Sequence, residues 1–171
     1  RYAETVGWKP EALAAWKIMA TNEGARPDAL RGQLRNLPPE APASEGLGIT
    51  EALLQILPDD PSAQLSATYF RLMAGKDIPA SAAAAEKFLA ADPASADLRR
   101  VAALGRLRSG KGAEALEIWP GDADENRWRA LHVALLRASG QTKAAEKAAQ
   151  DVNAEALSPE DKDLLSGDSG G

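Results

Sequence analysis

The stretch Gly105-Arg-Leu-Arg-Ser-Gly110-Lys111-Gly112 carries the spacing of a phosphate-binding loop as far as its lysine. In such a loop backbone N–H groups cradle the phosphates, the lysine reaches their oxygens, and a following Ser or Thr holds magnesium. Here Gly112 follows the lysine. The residues upstream, Leu98 to Leu104, have helical periodicity where a buried strand is required. No nucleotide site is expected. Asp122-x-Asp124 opens like a calcium loop, but the later glycine is missing and position twelve is Val133 instead of Glu. These acids suit the positive N-terminal end of a helix around Trp128, and Asp59-Asp60 reads the same way. His132 is the only histidine and sits between Leu131 and Val133. A hydrolytic triad needs a nucleophile and an orienting acid around it. The sequence offers neither, so a packed histidine is expected. One histidine and no cysteine speak against a zinc centre. Glu114 and Glu117 share a helix face, which alone makes no catalytic pair. No catalytic residue, metal ligand or cofactor is therefore expected.

Binding chemistry has more material. Trp8, Trp16, Trp119 and Trp128 could build an aromatic platform for a peptide or a sugar. Trp16 and Trp119 recur at matching places in a repeated pattern, which inter-helix packing explains. Trp8 falls outside that pattern and is the better candidate for a contact surface, or for a staple against preceding chain. Charge is distributed unevenly. From Arg99 to Arg137 there are eight basic and five acidic side chains; from Glu146 to Asp168 there are two and seven. An acidic end beside a basic middle suits self-association, an intramolecular cover, or a solubilising terminal cap.

The 171 residues, 44% of them hydrophobic, suffice for a core without disulfides. A net charge of −5 and a pI near 5.0 are the reverse of a nucleic-acid binder's balance. No apolar run has the length of a membrane span, and no secretory signal is visible. Lack of cysteine fits cytosol and periplasm alike. Because Arg1 is not an initiator methionine, the chain reads as a piece of a longer product whose beginning lies upstream.

The elements that must position these residues are helices. Periodicity and punctuation predict them at 10–22, 27–36, 49–57, 61–74, 79–91, 94–109, 112–119, 123–139, 141–152 and 159–166. Asp60-Pro61, Asp92-Pro93 and Ser158-Pro159 each place a capping side chain before a first-turn proline. Gly24, Gly75, Gly110 and Gly140 read as helix stops. Leu65, Tyr69, Leu72 and Met73 form one apolar stripe, and Trp128, Leu131 and Leu135 another. Leu37 to Gly48, with Pro38, Pro39 and Pro42, reads as irregular. No strand is expected.

Three copies of one pattern run through these helices: Glu11-Ala12-Leu13-x-x-Trp16, Glu51-Ala52-Leu53-x-x-Ile56 and Glu114-Ala115-Leu116-x-x-Trp119. Between them Pro27, Pro61 and Pro93 recur at intervals of 34 and 32 residues. The two interleaved series describe a repeated helix-turn-helix unit. The segment Ala96 to Ile118 resembles a tetratricopeptide repeat. With Gly110 as the turn, Ala103 and Ala115 fall on the family's small positions and Trp119 on its large aromatic. Gly140 as a turn places Ala145 likewise, and Gly7 places Ala12 and Trp16. Arg106 stands where the family has an aromatic, and Pro120 shortens one second helix.

The resemblance implies an all-α fold, a right-handed α-α superhelix of antiparallel helix pairs over residues 1–166. A C-terminal helix caps it and a flexible tail at 167–171 follows. It implies a non-catalytic scaffold or adaptor of bacterial type that binds a partner protein or peptide on its concave side. A narrower expectation is a kinesin-light-chain-like adaptor for filaments; the alternative is a membrane-anchored structural part of a bacterial envelope assembly. In this family the first helix of each pair lines the concave side, which would place Tyr69, Arg100, Arg108, Arg127 and Arg137 there, with Trp8 as a further contact. A row of arginines holds carboxylates through forked hydrogen bonds; the same spacing also suits an ordinary solvated helix face.

Overall fold

A computed structural model describes residues 9–121 and 124–167, and these are helical with no strand among them. Ten α-helices follow in order: α1 (Lys9–Met19), α2 (Arg26–Arg35), α3 (Ala43–Ile56), α4 (Pro61–Met73), α5 (Ile78–Ala91), α6 (Ala96–Arg108), α7 (Gly112–Glu117), α8 (Asn126–Ala138), α9 (Thr142–Ala149) and α10 (Pro159–Ser166). Short 3-10 turns at Glu23–Ala25 and Ala154–Ala156 precede α2 and α10.

Local chemistry sets most boundaries. The Asp60 side chain accepts from the Ala63 amide and Ser158 from the Asp161 amide, each before a first-turn proline. At α6 the expected cap moves: Ser95, not Asp92, accepts from the Leu98 amide, and the helix begins after Pro93 instead of at it. Three helices end in one motif. After α6 the Gly110 amide donates to Leu107 and the Lys111 amide to Arg106; α4 repeats this at Gly75 and Lys76, and α8 at Gly140 and Gln141. The turn glycine in each has a positive φ, between 66° and 80°, a conformation that costs a residue with a β-carbon. Gly24 is not such a stop; it lies inside the first 3-10 turn.

The irregular stretch expected over Leu37–Gly48 is shorter than the prolines suggest. Pro42 stands at the N-cap position and α3 runs from Ala43, through two glycines. Gly46 explains the exception: a β-carbon there would lie 2.3 Å from the Phe70 ring, so the helix backbone rests directly on an aromatic face. Gly32 meets Trp16 in the same manner, and Gly112 meets Ala138.

From α1 to α9 each helix packs on the next. In addition α4 touches α6 and α6 touches α8, so these three form a row; α10 packs on α8. Most of the core is one cluster that gathers Leu72, Met73, Ala85, Val101, Ala103, Leu104, Ala115, Trp119, Trp128, Leu131, Leu135 and Leu164. The small positions Ala12, Ala103, Ala115 and Ala145 are all buried, as are Trp16 and Trp119. Arg106 forks onto Glu86 at 2.7 and 3.1 Å and donates to the Glu114 carbonyl, tying α6 to α5 and α7.

Candidate functional site

The aromatic stripe of α4 and the start of α8 meet at the row. Tyr69 lies edge-on to Trp128, with centroids 5.5 Å apart, and to Phe70 at 5.1 Å. Arginines sit over these rings. Arg127 lies 4.8 Å from the Trp128 centroid and 5.7 Å from that of Tyr69, and Arg100 approaches Trp128 to 5.7 Å. Ring faces are electron-rich, so they attract guanidinium groups at these distances. Arg127 pairs with Glu125 at 2.7 Å and Arg100 with Asp97 at 3.1 Å.

At the other end of the row arginines meet backbone. Arg108, in the last turn of α6, donates to the Met73 carbonyl at the end of α4, at 3.1 Å. Arg137, in the last turn of α8, donates to the Leu165 carbonyl of α10. Each thus caps the negative end of a neighbouring helix. Arg108 is half-buried; desolvation weakens its hold on its proton, while Asp163, Glu160 and Asp161 act in the opposite sense.

Those three carboxylates belong to α10, which packs on α8. Leu164, 1% exposed, joins the main core cluster. Glu160 accepts from the Ala43 amide at the start of α3, 3.1 Å away. Asp161, 4% exposed, accepts from the Ser158 hydroxyl at 2.7 Å. Its carboxyl is pushed up to about 6: burial is the main cause, Glu160 adds to it, and Ser158 and Arg127 oppose it. Burial, then the nearby Asp161 charge, pushes the Tyr69 phenol well above its ordinary range, against the pull of Arg127. One short acidic helix therefore packs on α8, hydrogen-bonds the start of α3 and brings its charges near Tyr69 and Arg108.

The chain matches no family model, no curated protein and no solved structure.

Of the residues singled out in the sequence, Tyr69, Arg100, Arg108, Arg127 and Arg137 converge on this row; Arg137 bonds α10, and Tyr69, Arg108 and Arg127 lie near its acids. Trp8 lies outside the described residues, as does Asp122. His132 stacks on Trp119, centroids 5.4 Å apart and planes 8° from parallel, and burial lowers its affinity for a proton. The phosphate-loop spacing spans the end of α6, its glycine turn and the start of α7; the Gly110 and Lys111 amides are spent on capping. Among the described residues no group of three or more His, Cys, Asp or Glu is placed to hold a metal ion. A shallow concavity of about 380 Å³ lies between α1 and the Pro38–Glu40 turn, lined mainly by apolar atoms of Pro10, Leu13, Ala14 and Pro38.

Ser158, Glu160, Asp161 and Leu164 are the site residues that sequence reasoning missed. The signal available was the excess of acids after Glu146 opposite the excess of bases before it, together with the Ser-x-x-Asp cap that marks α10 as a firm helix.

Proposed function

We propose that this chain is a non-catalytic protein-binding scaffold, a right-handed superhelix of antiparallel helix pairs similar to that of tetratricopeptide repeats. Its concave row α4–α6–α8 docks an acidic helical segment of a partner protein. One observation carries this reading: an acidic helix already packs beside the arginines of the row, held by Glu160 on the Ala43 amide, by its Leu165 carbonyl on Arg137 and by Leu164 in the core. Pairwise packing in chain order and the α4–α6–α8 contacts support the superhelix.

Docking then proceeds as equilibrium binding. The cationic row steers a carboxylate-bearing segment inward, and affinity comes from an apolar side chain that fills a desolvated seat, as Leu164 does. Selection of random peptides displayed on phage against the full chain tests the reading. Enriched sequences should place Asp or Glu one helical turn from a Leu, and their affinity should fall with added salt. Changing Arg100 and Arg137 together to Ala should weaken the selected peptide about tenfold or more, with the helical circular dichroism kept. Enrichment of basic peptides, or affinities indifferent to both arginines, would remove the proposal.

A further inference from the structure

α10 is attached to the rest of the molecule by a stretch, residues 150–158, whose regular structure is a single 3-10 turn. That stretch is pinned independently of α10. Asn126 donates to the Asn153 carbonyl at 2.6 Å and accepts from its amide at 2.9 Å, and Arg129 donates to the Asp151 carbonyl. Leu157, 1% exposed, and Leu165, packed against the Val133–Leu136 cluster, hold α10 together with Leu164, so its release withdraws all three leucines and leaves the pinned stretch before Leu157 in place. The helix has eight residues, about 12 Å of length, and helices this short have little stability of their own. It is retained by its contacts alone.

Those contacts satisfy the row incompletely. The indole N–H of Trp128 and the Nε–H of Arg108 are buried without an acceptor among the described residues. Buried donors are nearly always paired, so a row that leaves two of them unmatched is better suited to a ligand with more acceptors. Asp161 is equally imperfect as a cis ligand. Its carboxyl is withdrawn from solvent and accepts from Ser158 of its own helix, and Arg127 is shared between it, Glu125 and the two rings.

We propose that α10 is a displaceable occupant of a docking surface, and that an acidic, leucine-anchored helical segment of a partner protein takes its place on the row α4–α6–α8. The intact chain is thus self-occupied, and partner binding is coupled to release of its C-terminal helix. This rests on the protein-binding reading above and adds its regulation. A partner segment longer than eight residues would carry the same carboxylate and leucine pattern and supply acceptors to Trp128 and Arg108.

A fluorescein-labelled peptide with the sequence Ala156–Gly167 serves as the probe, titrated by fluorescence anisotropy into the full chain and into its Leu164→Ser variant. In the variant one of the apolar anchors of α10 is lost and the fraction of open row rises. Apparent affinity scales with the fraction of open row, so the variant should bind the probe about tenfold or more tightly than the parent chain. Arg137→Ala placed in that variant should reverse the gain. Hydrogen exchange of the unmodified chain gives a readout that needs no substitution: amides of Lys162–Leu165 should open without loss of protection in Leu131–Leu135. Four results overturn the proposal: equal affinity for both chains, no binding to the variant, loss of helical circular dichroism in Leu164→Ser, or exchange of α10 only together with α8. A parent chain that elutes as a dimer through exchanged α10 helices would assign the row to a second copy and overturn it as well. Equal affinity for both chains would leave the protein-binding reading standing, since the displayed-peptide selection decides that separately.

Discussion

Asp161 holds a carboxyl beneath the surface with Ser158 as its hydrogen-bond donor, Arg127 as the nearby cation and Glu160 as the nearby anion. Its folded-state value near 6 lies above the ordinary 3.8, so between those values the folded chain binds more protons than the unfolded one. Stability from this group is therefore fullest below pH 3.8 and is lost as pH rises through about 6. His132, whose proton affinity burial lowers, works against Asp161 across this window, so the test is differential: in urea melts Asp161→Asn should raise stability at pH 7.5 by on the order of 2 kcal/mol and by clearly less at pH 5. An unchanged pH profile in Asp161→Asn would mean that another group titrates. Asp60 and Glu86 act in the opposite direction, because hydrogen bonds from Arg31 and Arg106 hold their carboxyls below the ordinary range. Their contributions are present above the ordinary carboxylate values and vanish as pH falls through the lowered ones, so they do not mask the window assigned to Asp161.

Between helices, contact is set by what lacks a side chain. Gly32 of α2 lets the Trp16 ring of α1 lie where a β-carbon would come within 2.3 Å. Gly32→Ala should displace the indole and cost about 1–3 kcal/mol in chemical denaturation, because overfilled contacts force rotamer and backbone shifts; a neutral effect would show that α1 is loosely seated. Gly110→Ala should cost about 1 kcal/mol for a different reason, since its φ of 76° is strained for any residue with a β-carbon although the space there is open. These elements also show what the sequence made legible. The caps at Asp60 and Ser158 and the turns at Gly75, Gly110 and Gly140 depend on residues within one helical turn, and they stand where local chemistry placed them. The start of α3 depends on Phe70 accepting Gly46 against its ring, a contact from the next helix that no local pattern around Pro42 announces. The cap at Ser95 was hidden because Asp92-Pro93 offers an equally good local signal three residues earlier. The arginines and aromatics of the row were visible as types. Their partner was not: Glu160 meets Ala43 across 117 residues, and only the acidic excess after Glu146 against the basic excess of Arg99–Arg137 suggested a cover from within the chain.

Over the whole molecule the apolar interior is divided, and the division has consequences for how it opens. Ala12, Trp16 and Ala29 form a small cluster between α1 and α2; Leu30, Ile49, Leu53 and Ala63 form a second between α2, α3 and α4. The large cluster begins at Ala43 and Leu72 and runs through α5, α6, α7 and α8 to Leu164. Neighbour-to-neighbour stacking makes stability nearly a sum of unit and interface terms, so a unit with a small cluster on one side opens first. Ion pairs do little to even this out. Lys17–Glu45 at the α1 end is exposed on both sides and contributes at most about 1 kcal/mol. Arg31–Asp60 and Arg106–Glu86 are better shielded and lie further along the chain. Native-state hydrogen exchange should therefore resolve an ordered series: amides of α1 and α2 open at the lowest denaturant, those of α3 next, and those of α6 and α8 only with global unfolding. Trp16→Ala should lower the opening free energy of α1 and α2 by several kcal/mol while leaving α6 and α8 protection nearly unchanged. If every helix instead exchanged with one common opening energy, the four clusters would act as one cooperative core, and α10 could not detach from a chain that stays folded.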